Sequence, residues 1–149
     1  MTDLLDVNLL ISLAWPNHVH HVPAHAWFRA RDGEPWATTP VTESGFVRVS
    51  SNPSAIPTAV TPHEARSLLG QIREVEGHVF LPDDVEFVVG PERALAGRIV
   101  GHRQVTDAHL LALARRHGAR LATLDRAVRA IAGEDAGDVV VVPVPPQTS

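Results

Sequence analysis

Four carboxylates in this chain stand where a folded core would end and a reacting edge begin. Asp6 follows the apolar pair Leu4-Leu5, and Asp125 follows the run Leu121 to Leu124. Asp107 comes directly after Thr106 at the head of a leucine-rich segment, and Glu43 lies in the first turns after Thr39-Pro40. Taken singly, each has an ordinary explanation. The helix macrodipole favours an acid near an N-terminus, which covers Asp107 and Glu43. Aspartate forms turns readily, which covers Asp6 and Asp125. Together they are harder to dismiss, because carboxylates gathered on one edge repel one another and burial sharpens the repulsion. A hard divalent cation removes that conflict, since carboxylate and water oxygens are the ligands that Mg²⁺ or Mn²⁺ prefers. Such an ion activates water and stabilises the attacking and leaving oxygens of a phosphodiester. Metal-assisted phosphodiester hydrolysis is the chemistry these residue types would serve.

Local signals place these acids on alternating strands and helices. Asp3 to Leu5 reads as a short strand, and Asn8 as the cap of a helix over Leu9 to Ala14 that Trp15-Pro16 stops. A helical spacing of Val19, Val22, Ala26 and Trp27 follows, closed by Asp32-Gly33. Pro35 to Thr38 is a short strand. Thr39-Pro40 and Thr61-Pro62 each open a helix with a cap followed by proline. His78 to Leu81 and Glu86 to Val89 are strand candidates, and a short helix is expected from Gly90-Pro91 to Arg98. The clearest helix runs from a Thr106 cap to His117, with Gly118 as its stop. A strand over Ala119 to Leu124, a helix over Arg126 to Ala132 and an apolar strand over Val139 to Val142 complete the pattern, before an exposed tail over about 143–149. The alternation predicts one α/β domain over residues 1–149, with a mainly parallel sheet between helices. The runs at 3–5, 120–124 and 139–142 are expected at its buried middle. In such sheets functional groups collect beyond the carboxyl ends of the strands, where Asp6 and Asp125 fall.

At 149 residues the chain has the size of one domain, and its 44% apolar and 20% charged residues are globular values. It contains no cysteine, which excludes disulfide frameworks and thiolate sites. It carries no apolar run of membrane-spanning length, and its N-terminus lacks the basic start of a signal peptide, so a cytoplasmic location is expected. The formal net charge of −4 rules out nucleic-acid binding through bulk positive charge. All thirteen basic residues are arginine, a bias that suits a GC-rich genome and also bidentate phosphate contacts.

Four segments in order, LLDVNLLISL (4–13), TPVTESGFVRV (39–49), QVTDAHLLALA (104–114) and LATLDRA (121–127), resemble the PIN-domain nucleases, and most closely the toxin ribonucleases of the VapBC toxin–antitoxin systems. The resemblance implies a PIN-like α/β fold with a mainly parallel sheet of about four or five strands. It implies that Asp6, Glu43, Asp107 and Asp125 form an acidic pocket for Mg²⁺ or Mn²⁺, with Asp6 and Asp107 the most direct ligands. Glu43 would reach the metal or hold its water, and Asp125 would coordinate directly or through water. Asn8 and Thr123 would support the pocket. The implied activity is RNA hydrolysis that inhibits translation or growth, with no histidine or lysine general base. The implied partners are a VapB-type antitoxin that covers the groove, the RNA substrate, and a second copy in a homodimer or toxin–antitoxin hetero-oligomer. Two other readings stay open: a PIN nuclease of RNA maturation or decay without an antitoxin, and a non-catalytic PIN-fold binding module. A phosphotransferase is disfavoured, because no glycine-rich phosphate loop follows the first strand.

Other residues carry weaker signals. Arg48 and Arg126 are candidate RNA contacts, with a salt bridge or solvent as the plain alternative. Arg98, His102 and Arg103 lie before the Asp107 helix and divide the same way. His18, His20, His21 and His25 invite a zinc reading, but no third ligand or His-Glu-x-x-His pattern accompanies them, and a surface or interface role is expected. Trp15, Trp27 and Trp36 are possible stacking partners, with Trp27 better suited to the core. The acidic run from Pro82 to Glu86 reads as a solvated loop.

Overall fold

A computed structural model describes residues 1–86 and 101–146. The expected strand over Glu86 to Val89, the helix over 91–98 and Arg98 fall wholly or mainly outside the described residues. Five strands form one sheet: β1 (Asp3–Leu5), β2 (Trp36–Thr38), β3 (His78–Phe80), β4 (Arg120–Thr123) and β5 (Val139–Val141). Their order is β3-β2-β1-β4-β5, and every pairing is parallel. The six described α-helices are α1 (Val7–Ala14), α2 (His21–Ala30), α3 (Pro40–Ser50), α4 (Pro62–Ile72), α5 (Val105–Arg116) and α6 (Val128–Ala132).

The sheet has a core on each face because successive strand residues point to opposite sides. Leu4 and Leu121 join Leu110, Leu111 and Leu113 of α5 and Ile131 of α6 on one face. Leu5 and Ala122 join Leu9 and Leu10 of α1, Phe46 of α3 and Leu69 of α4 on the other. Residues 108–114 of α5 are all buried, so this helix is enclosed rather than amphipathic. Trp36 is buried in the second core, and its Nε1 donates to Glu76 O, which removes it as a stacking partner.

Three expectations about position are corrected. The apolar run at 139–142 is an edge strand, not part of the middle; β2 takes the inner place beside β1 and is buried throughout. The cap of α1 is Asp6, whose side chain accepts from Leu9 N–H at 2.9 Å, while Asn8 lies inside the first turn and is exposed. Helix α5 starts at Val105, ahead of Thr106, behind a short 3-10 turn over His102–Gln104. The proline-led starts hold as expected, with Thr39 before α3 and Thr61 before α4. Gly118 ends α5 with φ +66°, a conformation that glycine adopts without strain.

Candidate metal and nuclease site

The carboxyl ends of β2, β1 and β4 bring Thr38, Asp6 and Thr123 into a row. Asp6 N–H donates to Ala122 O, which carries the β1–β4 ladder one residue past the strand before the chain turns into α1. The carboxylate of Asp6 is therefore fixed twice, as the cap of α1 and beside β4. It is only 6% exposed and also takes a hydrogen bond from the Thr123 side chain. Thr123 Oγ1 in turn accepts from Asp125 N–H at 3.0 Å, so one hydroxyl ties Asp6 to the loop that carries Asp125. Asp125 itself closes that loop by accepting from Ala127 N–H at 2.9 Å, the turn-forming behaviour its residue type suggested. Asp107 stands in the first turn of α5.

The electrostatics show that three of these acids share one neighbourhood. The pKa of Asp6 is raised to about 6, chiefly by burial, and the nearby charges of Asp107 and Asp125 push in the same direction. The hydrogen bonds from Thr123 and Leu9 oppose the rise without cancelling it. Asp107 is also raised to about 6, by burial first and then by Asp125. No basic side chain among the described residues offsets either carboxylate.

Glu43 is held differently. Its Oε2 accepts from Thr38 Oγ1 at 2.6 Å and lies 3.3 Å from Arg73 Nη1. Thr38 Oγ1 is also 2.7 Å from His78 Nε2. The single hydroxyl proton is given to Glu43, so the network assigns the Nε2–H donor tautomer to His78. Burial, followed by the charge of Arg73, lowers the pKa of His78, and Glu43 opposes this. Thus Glu43 belongs to a polar cluster at the β2–β3 side of the edge, and Thr38, Arg73 and His78 are partners that sequence reading did not single out. Thr38 alone left a signal, as a polar residue at a strand end.

Gly45 sets how closely the two sides approach. A Cβ placed there would stand 2.5 Å from Val7 Cγ2, so α3 reaches α1 only because this position has no side chain. Val7 adjoins Asp6 and Gly45 lies two residues beyond Glu43, so this contact controls the spacing of the two helix starts that bear acids.

Among the described residues, no three His, Cys, Asp or Glu side chains stand close enough to share one ion in this arrangement. The donor set nevertheless suits a hard cation: oxygen ligands, mutually repelling, and partly dehydrated. Arg48 and Arg126 are exposed, on α3 and just after Asp125 respectively. His21 Nδ1 lies 2.8 Å from Ser12 O, and the His21 and His25 rings are 4.9 Å apart on α2. The acidic loop is pinned rather than free: His109 Nε2 is 2.9 Å from Asp83, and Asp84 pairs with Arg116 and His117. Its two aspartates therefore brace α5, the helix that presents Asp107.

The chain is similar to known proteins over most of its length. Residues 4–134 match the family model for the PIN domain. The chain is 52% identical to Ribonuclease VapC38 of Mycobacterium tuberculosis over 129 residues, which is 87% of this chain and 89% of that protein. It is 50% identical over 128 residues to Ribonuclease VapC39 of the same organism, covering 86% of this chain and 91% of the relative. Ribonuclease VapC29 is 43% identical over 136 residues, covering 90% and 93%.

Proposed function

The chain belongs to the PIN-domain family, and from that premise we propose that it is a metal-dependent endoribonuclease, the toxin of a type II toxin–antitoxin pair. The observation that carries this reading is the pair of carboxylates, Asp6 and Asp107, both raised to about 6 beside Asp125 with no basic side chain among the described residues to balance them. Asp6, Asp107 and Asp125 would hold Mg²⁺ or Mn²⁺, which supplies charge neutralisation at the scissile phosphate and lowers the pKa of the attacking water.

The remaining work falls to side chains of known position. Thr123 and the Leu9 N–H keep Asp6 from turning away from the edge. Thr38 and Arg73 fix Glu43 at the next strand end, from which it orients the water that attacks phosphorus. Attack forms the new P–O bond as the bond to the leaving ribose oxygen breaks, and that oxygen takes up a proton. Asn8, exposed in the first turn of α1, borders the same edge. Cleavage of cellular RNA would inhibit translation. A VapB-type antitoxin would restrain the enzyme by covering the edge, and toxin copies would pair within that assembly. No helix among the described residues is long and apolar enough to cross a membrane, in keeping with action on RNA in the cytoplasm.

The reading is tested by mapping new RNA 5′ ends after brief induction in cells. Discrete ends with the wild type and none with Asp107→Asn are expected. Equal patterns from both would refute it.

A further inference from the structure

A cleft of about 600 Å³ opens between α3 and α4, and Glu43, Arg48, Arg66 and Phe80 are among its lining residues. Arg73 stands at the same place, with its guanidinium 5.4 Å from the Phe80 ring centroid and its Nη1 on Glu43. Three arginines thus meet on one groove of a chain whose net charge is −4. The acid among the lining residues, Glu43, is already paired with Arg73. Phe80 is 43% exposed and is the last residue of β3, on the same sheet edge as Asp6 and Thr123. A basic groove with an aromatic face left in water is the arrangement that binds single-stranded nucleic acid, with cations tracking phosphates and a ring stacking on a base.

We propose that this cleft seats the single-stranded RNA flank on one side of the scissile phosphate. Arg48 and Arg66 contact phosphates, Phe80 stacks on a base, and Arg73 caps that stack while it holds Glu43. The proposal rests on the nuclease reading and adds where the substrate lies and which residues hold it. The Phe80–guanidinium stack and continuity with the acidic edge through Glu43 favour RNA over a polypeptide.

The test is binding of a fluorescently labelled single-stranded RNA decamer, measured by anisotropy in EDTA at several salt concentrations, so that no cleavage intervenes. Arg48→Ala with Arg66→Ala is expected to weaken binding and lower the log–log salt slope by about 1.4, at about 0.7 per phosphate contact. Phe80→Ala is expected to weaken binding about tenfold with the slope retained. Arg129→Ala, on an exposed arginine of α6 outside the cleft, serves as the charge control. Unchanged RNA affinity in the cleft variants, or an equal loss with Arg129→Ala, would overturn the proposal. So would release of a co-expressed partner protein by variants that still hold RNA as the wild type does. Hydrolysis of bis(p-nitrophenyl) phosphate by the wild type with Mn²⁺ is read separately. Its absence counts against the nuclease reading, whereas unchanged RNA affinity counts against the cleft alone.

Discussion

Replacing Asp6 with asparagine should stabilise the metal-free protein while it abolishes activity. The carboxyl group has a pKa of about 6 in the folded chain against 3.8 as the ordinary value. The native state therefore binds this proton more tightly than the unfolded state does. Stability falls as pH rises from 3.8 towards about 6, and the full cost is present above that value. At about 1.4 kcal/mol per pH unit, the ionised carboxylate costs the fold about 3 kcal/mol at neutral pH. Asparagine caps a helix about as well as aspartate, so the bond from Leu9 N–H survives, and loss of the weaker bond from the Thr123 hydroxyl offsets only part of the gain from removing the charge. For a chain of this size, about 3 kcal/mol corresponds to a rise in Tm of about 6–12 °C. The assay is thermal unfolding of wild type and Asp6→Asn in EDTA, near pH 7.5 and again near pH 4. The gain should appear at the higher pH and largely vanish at the lower one, where the native carboxyl is already protonated. A variant no more stable than wild type near pH 7.5, or equally stabilised at both values, would refute the reasoning.

Other perturbations follow from the same geometry. Mg²⁺ or Mn²⁺ should raise the Tm of the wild type near pH 7.5 and have little effect on the double variant Asp6→Asn with Asp107→Asn, as differential scanning fluorimetry would show. Gly45→Ala forces a Cβ against Val7 Cγ2 and should cost about 1–3 kcal/mol in urea unfolding, with a loss of activity larger than the stability loss explains. Asp3, 1% exposed at the opposite end of β1, is paired with Arg31 and Arg120 at 2.8 Å each. Asp3→Ala leaves the half-buried Arg31 guanidinium without its carboxylate and should cost about 3 kcal/mol in the same assay. Protein that remains folded should keep its activity, because the site lies at the other end of the strand.

The legible parts of this fold were those fixed by local chemistry. Thr39-Pro40 and Thr61-Pro62 announce their helices because a cap and a proline act within a few residues. Asp6 and Asn8 are both competent caps two positions apart, and spacing alone does not decide between them; the extra bond from Asp6 N–H to Ala122 O does. Strand order was not readable at the edge. An apolar run such as 139–142 looks equally buried at a centre or beneath a covering helix, and only long-range pairing puts β2 inside and β5 outside. In the site, Asp6, Asp107 and Asp125 form the electrostatic group that their places at element ends suggested. Glu43 departs from it because its side chain is drawn to Thr38 and Arg73, which lie 5 and 30 residues away in sequence. The acidic loop is exposed as its composition suggested, but its contacts with His109 of α5 and His117 just beyond it lie 26 and 33 residues downstream, out of reach of any local pattern.

The most direct test of the central claim is cleavage of a defined RNA by the purified chain, freed of any partner and stripped of metal. Cleavage should be absent in EDTA and appear on addition of Mg²⁺ or Mn²⁺. It should then fall by at least about a hundredfold with Asp107→Asn, although that variant melts at or above the wild-type temperature. Metal-independent cleavage, or full activity in folded Asp107→Asn, would contradict the account.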